Sequence, residues 1–104
     1  MNQEETFGPL LTLIAVSDEE QALHVANATR YGLSGAVHSR DIERATDLAS
    51  RLRCGMQRVN APTTGVDYYA PFGGEAFSSF GLREQGRAVR EQFTSIRTLT
   101  ISPL

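Results

Sequence analysis

The only cysteine in the chain, Cys54, is the first candidate for a nucleophile, because a thiolate attacks carbonyl carbon readily. Its neighbour Arg53 could lower the pKa of the thiol. However, no histidine or glutamate stands at a spacing that would make it a general base for Cys54. The sequence therefore favours a small, partly buried structural cysteine and predicts no catalytic residue.

Two other residue patterns could bind a ligand, and neither has the required spacing. His24 and His38 have no cysteine or carboxylate at a metal-ligand spacing, so no metal site is predicted. The glycines of residues 73–81 follow neither the GxGxxG nor the GxxxxGK[ST] pattern of phosphate-binding loops. A tight loop that uses positive φ angles is the favoured interpretation.

The first half of the chain alternates between strand and helix patterns. Residues 10–16 are almost continuously apolar, which predicts a strand buried on both faces. Ser17 and Glu20 have the spacing of a capping box, and a helix that ends near Gly32 should follow. A second strand is predicted at residues 33–38, and Ser39, with Asp41 in the following turn, marks the start of a second helix. Its apolar stripe consists of Ile42, Ala45, Leu48, Ala49 and Leu52.

A third strand is predicted at residues 56–60, which completes a βαβαβ order. This order predicts a parallel sheet flanked by helices, in the α/β class. Residues 61–81 hold prolines, glycines and aromatics without a period, which is typical of a long functional loop. A helix over residues 83–93 and a strand over residues 96–101, with alternating threonines, should follow.

Composition excludes several classes of function. The 104 residues suffice for one small domain, and a formal net charge of −2 offers no basic surface for nucleic acid. The longest apolar run is far shorter than the roughly 20 residues that span a bilayer, so no membrane partner is expected. The N-terminus lacks a signal-peptide pattern, and a single cysteine suits a reducing compartment, so a cytoplasmic location is expected.

Five segments match, in order, the motifs of one family. Residues 4–9 read E-E-T-F-G-P and resemble the E-E-x-F-G-P signature of the aldehyde dehydrogenases. The other four are residues 31–34 (Y-G-L-S), 54–60 (C-G-M-Q-R-V-N), 71–86 (P-F-G-G, then G-L-R-E-x-G) and 93–98 (F-T-x-x-R-T). Residues 59–68 and 78–86 look closest to the 2-oxoglutarate semialdehyde dehydrogenase branch. The chain departs from the family at Ala76, where a lysine is usual, and at Phe77, where a small residue is usual.

The resemblance implies roles for particular residues. Glu5 would bind the hydroxyls of the nicotinamide ribose of NAD or NADP, and Phe7 would pack beside the nicotinamide ring. Residues 96–101 would form a strand used in oligomerisation, so a homo-oligomer is expected. Four residues would line the aldehyde entrance, namely Pro62, Thr63, Val66 and Asp67.

The resemblance also implies what these residues do not contain. Aldehyde oxidation needs a cysteine thiolate, a glutamate base and a Rossmann-like domain, which in this family precede the E-E-x-F-G-P motif. We therefore expect a single C-terminal segment of an aldehyde dehydrogenase catalytic domain, inactive alone and without tight NAD(P)⁺ binding. Two alternatives stay open: a non-catalytic domain that self-associates or binds a partner, and complementation by a separate polypeptide that carries the missing upstream segment.

Overall fold

The computed structural model describes residues 3–103 and has a small α/β unit at its centre. The α/β class predicted from the sequence is confirmed. In chain order the elements are α1 (Glu19–Asn27), β1 (Tyr31–Gly32), β2 (Ser34–Val37), α2 (Ile42–Ser50), β3 (Met56–Val59), β4 (Glu75–Ala76), a 3₁₀ helix (Gly86–Ala88) and α3 (Val89–Phe93).

The best-packed part of the fold is the unit formed by β2, α2 and β3. The two strands pair in parallel, with Ser34 opposite Met56, and α2 supplies the crossover that a parallel pair requires. This strand–helix–strand unit agrees with the prediction. The buried hydrophobic residues in the described part of the chain lie in or just after α2, and they are Ala45, Ala49 and Cys54.

The start of α1 differs by one residue from the predicted capping box. Asp18, not Ser17, is the N-cap, and its Oδ1 accepts from the backbone N–H of Gln21 at 2.8 Å. The Gln21 side chain reaches back and accepts from the N–H of Ser17 at 2.6 Å. Glu20 is thereby left to pair with Arg51, 2.6 Å away, which ties α1 to α2. Ser17 and Asp18 both have side chains that can cap a helix, and in the structure the Asp18 carboxylate accepts the capping hydrogen bond.

A reciprocal pair of hydrogen bonds closes the end of the β2–β3 pair. The Asn60 side chain accepts from the Ser39 N–H and donates to the Ser39 carbonyl, both at 2.9 Å. The Asn60 N–H also donates to the Val37 carbonyl at 2.9 Å, and Asn60 adopts a φ of +53°. Asp41 is the N-cap of α2, two residues after the helix start predicted at Ser39. Asn60 thus fixes the exit of β3, from which the predicted entrance loop departs.

The predicted strands at residues 10–16 and 96–101 do not form in the described part of the chain. Their apolar side chains lie exposed, with Leu11 at 82% and Leu13 at 87% of full exposure. The Cα radius of gyration is 18.5 Å, whereas a compact domain of this length has about 13 Å, so both segments extend away from the centre. A strand requires a partner for its backbone groups, and neither segment finds one among residues 3–103.

The segment around residues 83–93 is less helical than predicted. Phe72 and Glu84 form an antiparallel bridge with hydrogen bonds of 2.7 and 2.8 Å, so the chain is still extended at Glu84. Gln85 and Gly86 then adopt φ angles of +63° and +51°, which an α-helix does not allow. The helix therefore starts only after this turn, with the 3₁₀ helix and α3. None of the helices in residues 3–103 is long and apolar enough to cross a bilayer.

The predicted second strand forms as β2, and a further short strand, β1, forms where the first helix was expected to end. β1 runs antiparallel to β4, which lies in the predicted long loop, with Gly32 opposite Glu75, and a single residue separates β1 from β2. Gly55 allows the chain before β3 to pass close to Gly73, since a Cβ at position 55 would lie 1.9 Å from the Gly73 carbonyl oxygen. Within residues 73–81, Gly73 and Gly81 adopt φ angles of +153° and +84°, as expected of a tight loop that uses positive φ angles.

Candidate functional site

The acidic and aromatic residues of the N-terminal segment share one open cleft. Its lining consists of Glu4, Glu5, Thr6, Phe7, Gly8, Leu10 and Thr12. Phe7 is 91% exposed and has a φ of +49°, a rare conformation for an aromatic residue. A tight turn follows, in which the Leu10 N–H donates to the Gly8 carbonyl at 2.7 Å. The turn leaves a carboxylate and an aromatic ring on the same surface, open to a ligand.

A second cleft contains Glu5 at its edge and Cys54 in its wall. Cys54 is 6% exposed, and its thiol donates to the Met56 carbonyl at 3.5 Å. Burial raises the pKa of the Cys54 thiol above its ordinary value. A buried thiol with a raised pKa is a poor nucleophile, which supports the structural role inferred from the sequence.

The residues predicted at the aldehyde entrance are only partly brought together. Val66 and Asp67 line a third cleft, with β3 on one side and residues 70–72 on another. Asp67 shapes its own loop, because its Oδ1 accepts from the Tyr69 N–H at 3.0 Å. Pro62 and Thr63 are exposed and are not part of the lining of this cleft. Glu5 and Phe7 line neither this cleft nor its rim.

One charged residue of the third cleft was missed by the sequence interpretation. Arg58 lies on β3, lines the cleft and is half-buried. Its Nη2 donates to the carbonyl of Gly65, in the same loop as Asp67. The sequence signal for this residue was a charged side chain inside a predicted buried strand. In the structure Arg58 lies opposite Ala36 of β2, whose residues are small or apolar.

The two positions that depart from the family pattern lie on and beside β4. Ala76 pairs with Tyr31 and has a φ of +49°, and Phe77 donates its N–H to the Arg30 carbonyl at 3.0 Å. The Phe77 ring is 76% exposed and contributes to the wall of the second cleft. A large aromatic side chain therefore stands where the family usually has a small one.

The histidines do not form a metal site. No group of three or more His, Cys, Asp or Glu side chains that could hold a metal ion occurs within residues 3–103. His38 lies beside the apolar surface between α1 and α2, whereas His24 is exposed in the last turn of α1.

Comparison with known proteins identifies the family. Residues 1–99 match the model of the aldehyde dehydrogenase family, and the chain belongs to this family. It is 42% identical over 101 residues to the alpha-ketoglutaric semialdehyde dehydrogenase of Bacillus subtilis, which covers 97% of the chain and 21% of that protein. This agrees with the branch that the sequence motifs resemble. A salicylaldehyde dehydrogenase of Pseudomonas putida is 41% identical over 100 residues, or 96% of the chain and 20% of that protein.

Solved structures give the same result for the fold. The crystal structure of salicylaldehyde dehydrogenase from Pseudomonas putida G7, complexed with salicylaldehyde, matches with a TM-score of 0.92 and 39% identity, over 98% of the chain and 21% of that structure. Mycobacterium tuberculosis aldehyde dehydrogenase complexed with NAD⁺ matches with a TM-score of 0.81 and 38% identity, over 89% of the chain and 19% of that structure. The chain thus spans about a fifth of the length of these relatives.

Proposed function

We propose that these residues are the C-terminal segment of the catalytic domain of an NAD(P)⁺-dependent aldehyde dehydrogenase. In this proposal they hold the nicotinamide end of the cofactor and form part of the aldehyde entrance. The nucleophilic cysteine, the glutamate base and the dinucleotide domain come from outside these 104 residues. The observation that carries the proposal is the shared open cleft of Glu5 and Phe7, in a chain whose residues 1–99 match the family.

The chemistry of the two cleft residues fits the cofactor. A carboxylate only accepts hydrogen bonds, so Glu5 can receive both donors of a ribose diol. The exposed Phe7 ring offers an apolar face against which a flat nicotinamide can pack. The cofactor would supply the hydride acceptor of the family reaction, and Glu5 and Phe7 would hold its nicotinamide end. The residues of this chain only orient it and exclude water from one of its faces.

The loop after β3 supplies the substrate side of the proposal. Val66 offers apolar surface in the third cleft, and Asp67 holds the turn that carries it. We assign Pro62 and Thr63 to the outer rim of the same entrance, because both are exposed at the start of this loop. Relatives of the chain act, by their names, on aldehydes that range from salicylaldehyde to betaine aldehyde. The entrance loop is where such a difference in substrate would be accommodated.

A pair of adjacent glutamates allows a matched test of the cofactor role. We expect Glu5→Gln, in the complete protein as the gene encodes it, to weaken NAD(P)⁺ binding about tenfold or more, because hydrogen bonds to a charged group are lost. Glu4→Gln removes the same charge from the same cleft and should weaken binding less, because the family resemblance assigns the ribose hydroxyls to Glu5. Titration calorimetry measures both. Equal effects of the two substitutions would contradict the assignment of Glu5.

The 104 residues alone should be catalytically silent. We expect no reduction of NAD⁺ or NADP⁺ with any aldehyde, because the only thiol is buried and has a raised pKa. The measurement is absorbance at the wavelength of the reduced nicotinamide, with the purified residues 1–104. Turnover that disappears on Cys54→Ala would overturn both this expectation and the structural role of Cys54.

Exposed apolar surface favours one alternative, a non-catalytic domain that self-associates. A dimer or larger oligomer would cover residues 96–101, which present unpaired backbone groups, and part of the exposed apolar surface of residues 10–16. Sedimentation of the purified chain tests association. A monodisperse monomer would exclude this alternative and the homo-oligomer expected from the family resemblance.

A further inference from the structure

The segment that carries Glu5 is attached to the rest of the fold by one hydrogen bond. The Gln3 side chain donates from Nε2 to the carbonyl of Ala28, the residue that ends α1. Among the hydrogen bonds within residues 3–103, no other joins residues 3–16 to a later residue. The position of Glu5, two residues after Gln3, therefore depends on this bond.

The carbonyl that accepts this bond is available because α1 ends there. The last carbonyls of a helix have no partner within the helix, so a side-chain amide can donate to one of them. Ala28 has left the helical conformation, with a ψ of +32°, while its N–H still donates to the Val25 carbonyl at 3.2 Å. The end of α1 thus offers an acceptor, and the Gln3 amide supplies the donor that matches it.

The end of α1 is itself held by a neighbouring amide. The Asn27 side chain donates to the Arg51 carbonyl at 3.0 Å and accepts from the Arg53 N–H at 2.8 Å. These two bonds join α1 to the turn between α2 and β3, next to the buried Cys54. The acceptor of the Gln3 amide is thereby tied to the best-packed unit of the fold.

The two clefts that share Glu5 meet at this attachment. Glu4 and Glu5 line both the first and the second cleft, and Asn27 lies in the lining of the second. The carboxylates thus stand where the N-terminal segment meets the end of α1. A hydrogen bond between a hydroxyl and a carboxylate requires an oxygen–oxygen distance of roughly 2.5–3.0 Å, so a displacement of Glu5 by about 1 Å would break it.

We propose that Gln3 is a positioning residue for the cofactor, because its hydrogen bond to Ala28 holds Glu5 where the carboxylate binds the ribose hydroxyls. This inference rests on the proposed function, since it takes Glu5 as the residue that binds the nicotinamide ribose. In this scheme Gln3 does not contact the cofactor and acts only through Glu5. A residue that merely stabilises the fold would not act through Glu5, and the two roles can be separated by experiment.

A double-mutant cycle on the complete protein tests the proposal. Gln3→Met keeps a neutral side chain of similar length and removes the donor. Titration calorimetry with NAD⁺ or NADP⁺, whichever the wild type binds more tightly, should show about three- to tenfold weaker binding for Gln3→Met. In the Glu5→Gln background the same substitution should have no further effect, because the interaction that Gln3 supports is already lost.

Gln21→Met is the matched control, since it also removes a glutamine amide from an exposed hydrogen bond. The Gln21 side chain accepts from the Ser17 N–H at the start of α1 and lines neither of the clefts that contain Glu5. We expect unchanged cofactor affinity for Gln21→Met. Urea unfolding should show that Gln3→Met lowers the free energy of unfolding no more than Gln21→Met does.

The outcomes separate this inference from the proposed function. Equal cofactor affinity in wild type and Gln3→Met, or equal losses in the wild-type and Glu5→Gln backgrounds, would overturn the role of Gln3 and leave that of Glu5. A loss of affinity in Gln21→Met as large as in Gln3→Met would show a general effect of helix stability and would overturn it as well. If the wild type binds neither cofactor, or if Glu5→Gln binds as tightly as the wild type, the assignment of Glu5 fails and the role of Gln3 fails with it.

Discussion

Substitution of Asn60 tests the backbone conformation at the exit of β3. Asn60 has a φ of +53°, which asparagine and glycine tolerate better than alanine does. Asn60→Ala loses two side-chain hydrogen bonds to Ser39, each worth about 0.5–1.5 kcal/mol. It also adds a left-handed backbone cost of roughly 1–2 kcal/mol. We expect the free energy of unfolding to fall by about 2–4 kcal/mol.

Asn60→Gly separates the two causes. This variant loses the same hydrogen bonds, but glycine adopts the left-handed conformation without the steric cost of a Cβ. It should therefore be more stable than Asn60→Ala by about 1 kcal/mol. Thr46, on the exposed side of α2, is the matched control, since there glycine should be less stable than alanine by about 1 kcal/mol. Asn60→Asp keeps an acceptor for the Ser39 N–H but has no donor for the Ser39 carbonyl. Its free energy of unfolding should lie between those of the wild type and Asn60→Ala.

Urea unfolding followed by circular dichroism, with equal slopes for all variants, supplies the free energies. The decisive quantity is the sign of the glycine-minus-alanine difference at Asn60 and at Thr46. If glycine is the less stable residue at both positions, the left-handed conformation of Asn60 is wrong, and with it the geometry from which the entrance loop departs.

Two further predictions concern titratable groups. Burial raises the pKa of Cys54, so its contribution to stability is full below the unfolded thiol pKa of about 8.5 and is lost as pH rises through the folded pKa. Iodoacetamide at pH 8 should therefore modify the native chain far more slowly than the chain in urea, and equal rates would contradict the burial. The backbone N–H of Gln21 lowers the pKa of Asp18, so its contribution is present above about pH 3.9 and is lost as pH falls through the folded pKa. Unfolding of wild type and Asp18→Asn between pH 6 and 2 should show a stability difference that shrinks in acid, and a constant difference would refute the cap.

The elements that could be predicted are those whose interactions are local. The signals for α2, a capping residue and an apolar stripe, lie close together in the sequence, and the structure places the helix at Ile42–Ser50, close to the prediction. The strands on either side of α2 pair as the strand–helix–strand order requires. The caps of both helices are displaced, from Ser17 to Asp18 and from Ser39 to Asp41, because serine and aspartate both have the chemistry of an N-cap and nearby positions compete.

Features that depend on distant contacts could not be predicted. β4 exists because residues 75–76 find β1, more than forty positions earlier in the chain, and no local pattern announces this pairing. The late start of α3 follows from the bridge between Phe72 and Glu84, which holds the chain extended. Arg58 could not be recognised as a cleft residue from the sequence for the same reason. The loop that carries Gly65 and Asp67 lies beside it only in the folded chain.

The two exposed apolar segments, residues 10–16 and 96–101, differ in how many of their faces must be buried. Residues 10–16 have no polar alternation, so both faces of a strand there need burial, and edge pairing with a second copy would cover neither face completely. Residues 96–101 alternate with Thr98 and Thr100, so a strand there has one face suited to water and can lie at an edge. Self-association alone therefore satisfies the second segment but not the first. The first requires a sheet with helices on both faces, which favours a larger aldehyde dehydrogenase catalytic domain over a self-associating domain as the setting of these residues.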